Sequence, residues 1–246
     1  MRTIARRLKN IVFDVLDPNR KKREELQFWQ NELVKYEDWY LGKLPMLYKT
    51  PSPSEEDKFF SSDLREASVL TWHRLHQEPK YLRDLGLERE TFAGKRILDV
   101  GSGPIPSATC FSDCEIYCLD PLLPQYVAAG FPFECYKNVH FVPAHSENMT
   151  LGNSLFDAVI AVNSLDHVDS IRQTVSEIRR VLKPGGDLRF HVHYHNATIC
   201  EPLELNDKKM TQLFSWCPNF VKLTKHSDSF SSSLPVGEEF TLWGTS

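Results

Sequence analysis

Glycines and a carboxylate stand where the chain could bind a ligand that carries an adenosine. Gly101 and Gly103 lie in the segment Asp99-Val-Gly-Ser-Gly-Pro104, directly after an apolar stretch that predicts a strand. A glycine-rich turn at the end of a strand lets the backbone come close to a ligand. Asp120 follows the next predicted strand, where a carboxylate can accept hydrogen bonds from both hydroxyls of a ribose. Together these residues indicate an adenosine-bearing cofactor.

Histidines follow two later predicted strands and are the candidate bases. His167 comes after the fourth strand, and His193 and His195 end the fifth. Imidazole titrates near neutral pH, so a histidine beside a substrate can take a proton from a hydroxyl or an amine. We predict that the catalytic base is among these three histidines.

A metal site is the alternative use of the same histidines. The alternation His191-Val-His193-Tyr-His195 places three imidazoles on one face of an extended strand. Imidazole binds zinc, iron and nickel, and Asp166 or Glu201 could add a carboxylate. A polar rim of a substrate pocket explains the alternation with fewer assumptions. The prediction therefore assigns no metal.

The positions of these glycines, Asp120 and the histidines are set by an alternation of predicted strands and helices that begins near Lys95. The predicted strands are residues 96–100, 115–119, 139–142, 156–162 and 187–193. Alternating strands and helices predict a parallel sheet with right-handed crossovers. Two late segments, Phe220–Lys225 and Glu239–Trp243, are separated by a loop and predict an antiparallel pair at the edge of the sheet.

This region resembles the class I S-adenosylmethionine-dependent methyltransferases. The resemblance covers about residues 94–195 and depends on the order and spacing of several segments. They are Arg96-Ile-Leu-Asp-Val-Gly-Ser-Gly-Pro104, Asp120, His145-Ser-Glu-Asn-Met149, Leu155-Phe-Asp-Ala-Val-Ile160, Ser164-Leu-Asp-His-Val168 and Glu177-Ile-Arg-Arg-Val-Leu-Lys-Pro-Gly-Gly186. The family commonly has a third glycine in this turn. This chain departs from that pattern, because it has Ile105 at that position.

The resemblance implies an α/β, Rossmann-like fold with S-adenosylmethionine as cofactor. It implies a mostly parallel seven-stranded sheet with an antiparallel edge strand, helices on both faces and an N-terminal helical cap. The cofactor-binding residues that it implies are Asp99, Gly101, Ser102 and Gly103 for the methionine end, Asp120 for the ribose, Ser146 and Glu147 for the adenine, and Asn163 for the methionine moiety.

The N-terminal third is predicted to be helical and separate from this core. Residues 21–41 predict an aromatic-rich helix. A third helix should begin after Asp63 and run to about Gln77, where Pro79 ends it, and a short helical piece should follow to Leu87. We divide the chain into a helical cap at residues 1–91 and a methyltransferase core at residues 92–246. The cap is expected to close over the acceptor, with Trp39, Tyr40 and Tyr48 as candidate wall residues.

Charge and composition limit the partners of the chain. The net charge of −4 gives no electrostatic basis for nucleic-acid binding. Basic residues outnumber acidic ones in residues 1–24, and residues 1–16 predict a short amphipathic helix that could contact a membrane surface weakly. No stretch is apolar enough for a transmembrane helix. Six dispersed cysteines predict free thiols, so we expect a cytoplasmic protein that is either free or peripheral to a membrane.

Methyl transfer to a small-molecule acceptor is the function that these features favour. A hydroxyl or an amine is the expected acceptor, for example on a saccharide or a secondary-metabolite intermediate. The alternative is a non-catalytic cofactor-binding or membrane-peripheral scaffold with the same fold. An NAD-dependent reductase is disfavoured, because no tyrosine among residues 36–48 has a lysine four positions later.

Overall fold

The computed structural model describes residues 19–226 and 240–246, without the side chains of residues 224–226. The amphipathic segment predicted over residues 1–16 lies outside the described residues. Within the described ranges, no helix is long and apolar enough to cross a membrane. All six cysteines are free thiols, as predicted, and burial raises the pKa of Cys110 and Cys118.

A seven-stranded sheet carries the core, in the order β5-β4-β3-β6-β7-β9-β8. Its strands are β3 (Arg96–Val100), β4 (Glu115–Leu119), β5 (Val139–Val142), β6 (Phe156–Val162), β7 (Leu182–His193), β8 (Phe220–His226) and β9 (Phe240–Thr245). Strands β5, β4, β3, β6 and β7 pair in parallel. Strand β9 is antiparallel to both β7 and β8 and lies between them, which confirms the predicted antiparallel element near the edge.

Side-chain alternation along the strands divides the helices between the two faces of the sheet. Leu98 and Val100 of β3 belong to one buried cluster with α5 (Ile171–Val181) and α6 (Asp207–Leu213). Ile97 belongs to another cluster on the opposite face, with α3 (Glu78–Leu85). Because successive residues of a strand point to opposite faces, Asp99 shares the α3 face.

Strand β7 begins earlier than the sequence predicts. Helix α5 ends at Val181, and β7 starts at once with Leu182 opposite Phe156. The next paired residues are Ala158 and Asp187, so residues 183–186, which precede the strand predicted at 187–193, form an irregularity inside β7. Glycine is required there at Gly186, because a Cβ would lie 2.9 Å from the carbonyl oxygen of Asp157.

The N-terminal region consists of helices and one short hairpin. Its elements are α1 (Arg20–Tyr40), β1 (Met46–Leu47), β2 (Thr50–Pro51), α2 (Leu64–Trp72), a π-helical turn (His73–Gln77) and α3. The third helix, predicted to run to about Gln77, is α2 continued by the π-helical turn that ends at Gln77. The short helical piece predicted to follow it is α3, with Pro79 in its first turn, where the missing N–H leaves no helical hydrogen bond unmade. Helix α3 ends at Leu85, before Gly86 in the left-handed conformation.

Aromatic packing joins this helical region to the sheet core. The ring of Trp72 stacks on Tyr36 at a centroid distance of 5.1 Å and on His76 at 4.1 Å. The same buried cluster includes Tyr126 of α4 (Leu123–Ala128), the helix after β4, and Phe131 beyond that helix. The Arg65 guanidinium also donates to the carbonyl oxygen of Ala129 at 3.0 Å.

Helix α2 begins at an aspartate cap. The Asp63 carboxylate accepts the backbone N–H groups of Arg65 at 2.8 Å and Glu66 at 3.2 Å. Replacement of Asp63 by alanine removes both acceptors and is expected to lower the free energy of unfolding by about 1 kcal/mol. Urea denaturation checks this. The exposed Glu56→Ala variant should match the wild type, and equal midpoints for all three proteins would contradict the capping role.

Candidate functional site

A cavity of about 850 Å³ opens at the carboxyl ends of β3, β4, β6 and β7. The turns after β3 and β4 form one side, and the ends of β6 and β7 form the other. Helix α1 contributes a third wall through side chains that include Glu25 and Trp29. The carboxyl edge of a parallel sheet is the usual position of ligands in open α/β folds.

The turn after β3 requires glycine at position 101. Gly101 has φ +72°, and an added Cβ would lie 2.4 Å from the Cβ of Ser164. Its N–H donates to the carbonyl oxygen of Leu119 at 2.8 Å, and the Ser164 hydroxyl donates to the carbonyl oxygen of Val100 at 2.6 Å. The ends of β3, β4 and β6 therefore meet at this glycine.

Gly103 brings the same turn against α1. It has φ +63°, and its missing Cβ would lie 3.3 Å from Cζ2 of Trp29. Ser102 lines the cavity beside it. Ile105, at the position where the family commonly has a third glycine, is buried in the aromatic cluster shared with α1 and also lines the cavity. The departure from the family pattern thus serves the packing of the helical region.

Asp120 connects two turns and faces the cavity. Its carboxylate accepts the N–H of Gly103 at 3.0 Å and the N–H of Leu122 at 2.8 Å. Burial raises its pKa to about 6, although these two hydrogen bonds act in the opposite direction. Each carboxylate oxygen has more than one acceptor site, so Asp120 can still bind a hydroxyl.

Asp99 lies beneath the glycine turn and contacts Tyr81 of α3. The Tyr81 hydroxyl donates to Asp99 Oδ1 at 2.5 Å, and Oδ2 is buried without a hydrogen-bond partner in the described structure. Burial raises the pKa of Asp99 to about 7, the Tyr81 hydrogen bond lowers it, and the charge of Asp120 raises it. Tyr81 lines the cavity, whereas Asp99 is 1% exposed.

Ser146 and Glu147 line the cavity beyond the end of β5. The Ser146 hydroxyl lies 3.0 Å from Thr174 Oγ1. Glu147 Oε1 accepts the N–H of Asp169 at 2.7 Å and the N–H of Ser170 at 3.1 Å. A carboxylate at these N–H groups stabilises the start of α5, so Glu147 has a structural role as well as its place in the cavity wall.

Asn163 lines the cavity after β6 in an unusual backbone conformation. Its φ is +51°, which asparagine tolerates better than most residues, and its N–H donates to the carbonyl oxygen of His191 at 3.0 Å. Asn163 Oδ1 is buried and has no hydrogen-bond partner within residues 19–226 and 240–246. A donor on a bound ligand would satisfy it.

His193 belongs to a buried pair at the end of β7. Its Nε2 lies 2.9 Å from Nε2 of His191, and His191 Nδ1 lies 3.5 Å from Oδ2 of Asp84. Burial lowers the pKa of His193 to about 4, so the imidazole is neutral at pH 7. His193 lines the cavity, whereas His191 and Asp84 are buried at 1% and 0% exposure.

His167 and His195 occupy a more charged part of the cavity. His167 lies between two carboxylates, with Nδ1 4.0 Å from Glu25 and Nε2 3.8 Å from Glu201. His195 donates to Asp166 Oδ2 at 2.7 Å and to the carbonyl oxygen of Asn196 at 2.8 Å. The hydrogen bond to Asp166 raises the pKa of His195 to about 9.

The structure therefore brings the three predicted histidines to one cavity, together with all the predicted cofactor residues except Asp99, which lies just behind the wall. Of the expected wall residues, Tyr48 lines the cavity, whereas Trp39 and Tyr40 are buried in the helical region. Sequence reasoning missed Glu25, Trp29 and Tyr81, because no motif marks a residue that reaches the cavity from a helix of the N-terminal region.

Substitution of Gly101 tests the close approach at the turn. Gly101→Ala adds a methyl group at a positive φ and against Ser164, so we expect a loss of more than about 1 kcal/mol in the free energy of unfolding. Gly152→Ala is the matched control, because it has open space around it and should change stability by less than about 0.5 kcal/mol. Equal denaturation midpoints for the two variants would contradict the packing described here.

A family model and curated relatives each match part of the chain. Residues 98–190 match the family model described as a methyltransferase domain. The O-methyltransferase rstn1 of Aspergillus nomiae is 31% identical over 43% of this chain and 50% of its own length. The malonyl-[acyl-carrier protein] O-methyltransferase of Enterobacter lignolyticus is 34% identical over 39% of this chain and 38% of its own length. The chain thus spans half or less of the length of these two relatives.

Solved structures share the architecture at low sequence identity. YcgJ of Bacillus subtilis has a TM-score of 0.50 and 16% identity, over 69% of this chain and 95% of that protein. The [4+2]-cyclase SpnF has a TM-score of 0.52 and 18% identity, over 69% of this chain and 82% of that protein. These similarities show the fold alone, and a fold does not establish a reaction.

Proposed function

We propose that this chain, which belongs to the class I S-adenosylmethionine-dependent methyltransferase family, transfers a methyl group from S-adenosylmethionine to a small-molecule acceptor. The methyltransferase-domain match supports the transfer reaction. The observation that carries the proposal is the cavity. The glycine turn and Asp120 lie on one side of it, and the His191–His193 pair and the His195–Asp166 pair lie on the other. Such a cavity has room for a cofactor and an acceptor together.

The cofactor is assigned to the side of the cavity formed by β3 and β4. Asp120 would accept the ribose hydroxyls, and Ser146 and Glu147 would flank the adenine. The methionine end would lie against Gly101, Ser102 and Gly103. Its ammonium group fits Asn163 Oδ1, which lines the cavity and has no partner in the described structure.

Methyl transfer makes modest demands on the protein. The sulfonium of the cofactor supplies an activated methyl group, and the acceptor displaces it in line. The chain must therefore hold the acceptor atom close and aligned. We assign this task to a cap at residues 1–91, of which α1, Tyr48 and Trp72 line the cavity. The polar lining from Glu25, Glu201 and the histidines suits a hydroxylated or amino acceptor.

His193 is the base that we favour. It is neutral at pH 7 and therefore able to accept a proton, whereas His195 already donates both N–H groups. Among the groups around His193, the charge of Asp166 is the one that would favour the imidazolium formed during proton transfer. His195 would act by fixing Asp166. The scaffold alternative, without catalysis, would keep the cofactor site and need no base.

Binding of S-adenosylhomocysteine tests the cofactor assignment. Asp120 must be ionised to accept both ribose hydroxyls. Because its pKa is raised to about 6, affinity should increase as the pH rises from 5 to 7.5. Asp120→Asn should weaken binding by about tenfold or more and flatten this pH dependence. Isothermal titration calorimetry gives both results.

The control for this titration is the Asp57→Asn variant, whose exposed side chain accepts a hydrogen bond from the Ser54 hydroxyl. It should bind as the wild type does. An absence of binding by the wild-type chain at any pH would overturn the cofactor assignment and the proposed reaction with it.

Release of S-adenosylhomocysteine from S-adenosylmethionine, measured with a panel of sugars, phenols and amines, tests catalysis. His193→Gln should reduce turnover of an active acceptor by about 100-fold or more while cofactor affinity stays unchanged. His140→Gln is the control, because that histidine lies on β5 outside the cavity. Full turnover by His193→Gln would exclude His193 as the base. Cofactor binding without turnover of any acceptor would favour the scaffold alternative.

A further inference from the structure

Three potential metal ligands meet at the acceptor end of the cavity. Asp166 and His167 follow β6, and Glu201 lies in the segment between β7 and α6. One carboxylate oxygen of each acid and one imidazole nitrogen all lie within 4.8 Å of one another. Two carboxylates and an imidazole are a donor set that suits divalent first-row metal ions.

Asp166 and His167 each have a buried side-chain atom without a hydrogen-bond partner in the described part of the chain. The Asp166 side chain is 1% exposed, and its Oδ1 makes no hydrogen bond within the described part of the chain. His167 Nε2 is in the same condition, and it lies 3.8 Å from Glu201 Oε1. A buried polar atom without a partner costs free energy. Two such atoms beside a third donor therefore point to a missing ligand rather than to tight packing.

The surrounding charges favour a cation at this position. Glu25 is a third acidic residue near Asp166 and Glu201, with its carboxylate 4.0 Å from His167 Nδ1. His195 compensates one of them through its 2.7 Å hydrogen bond to Asp166, and its Nε2 lies 3.9 Å from Glu201. The Lys21 ammonium group donates hydrogen bonds to Asp169 and to the carbonyl oxygen of His167.

The backbone holds the two contributing segments together. The N–H of Leu203 donates to the carbonyl oxygen of Asp166 at 3.3 Å, which joins the loop after β6 to the segment that carries Glu201. The N–H of Thr198 donates to the carbonyl oxygen of Glu201 at 2.9 Å and closes a turn around that residue. The donors are thus positioned before any ligand binds, which lowers the entropic cost of binding.

We propose that Asp166, His167 and Glu201 bind a divalent metal ion. Three protein donors leave coordination positions open toward the cavity. If the proposed methyl transfer holds, a hydroxyl oxygen of the acceptor would take one of them, since metal coordination lowers the pKa of a bound hydroxyl. Binding of the ion itself does not depend on that reaction.

Mn²⁺ binding to the full chain, freed of metal with a chelator and without cofactor, tests the site. The electron paramagnetic resonance signal of free Mn²⁺ should fall by about one ion per chain. His167→Gln and Glu201→Gln should each weaken binding by about tenfold or more. Both side chains are partly exposed, at 25% and 29%, so we expect these variants to fold. Circular dichroism checks the fold.

Glu204→Gln is the matched control, because Glu204 lies three positions after Glu201 and outside the cavity. It should bind Mn²⁺ as the wild type does. An unchanged free Mn²⁺ signal with the wild type would overturn the proposal, and so would full binding by both site variants. Binding of S-adenosylhomocysteine is measured in a separate titration, with a chelator present. Cofactor binding without Mn²⁺ binding refutes only the metal site, and the reverse result refutes only the methyltransferase assignment.

Discussion

The carboxylate of Asp120 holds together the two turns on which the cavity depends. It accepts one N–H from the turn after β3 and one from the turn after β4. The same glycine turn is pressed against Ser164 at the end of β6, so three strand ends are fixed relative to one another. The residue that we assign to the ribose is therefore also the residue that shapes its pocket. Burial leaves Asp120 with a raised pKa, so the chain keeps a partly desolvated carboxylate for which a hydroxyl donor is a favourable partner.

The helical region completes the cavity that the sheet leaves open. Trp29 of α1 lies against Gly103 in the turn that follows β3. Tyr81 of α3 donates a hydrogen bond to the buried Asp99, directly before that turn. The aromatic cluster around Trp72 joins these helices to residues that follow β4. Since the methyltransferase-domain model matches residues 98–190 and not the helical region, that region is where we expect acceptor specificity to reside.

Local patterns were sufficient to predict the sheet. The apolar runs at residues 96–100, 115–119, 139–142 and 156–162 are the strands β3 to β6, and the last of them is apolar enough for burial on both faces of the sheet. Prediction failed at the start of β7, because Leu182 already pairs with Phe156 and the glycines before Asp187 are accommodated inside the strand.

The candidate site was predictable where a motif carried it. Glycines at a strand end and an acid after the next strand follow from backbone geometry, so Gly101, Gly103 and Asp120 could be found from sequence. Glu25 and Tyr81 could not, because their position at the cavity depends on how α1 and α3 pack on the sheet. The pairing of His195 with Asp166, and of His193 with His191, likewise depends on side-chain packing that strand alternation alone does not specify.

A crystal structure with S-adenosylhomocysteine bound tests the account most directly. We predict the ribose hydroxyls at Asp120, the homocysteine end at the glycine turn and Asn163, and the sulfur directed toward His193 beneath α1. The ligand would then separate a cofactor half of the cavity from an acceptor half lined by histidines. A ligand bound elsewhere, or a sulfur directed away from the histidines, would contradict the assignment of this cavity to methyl transfer.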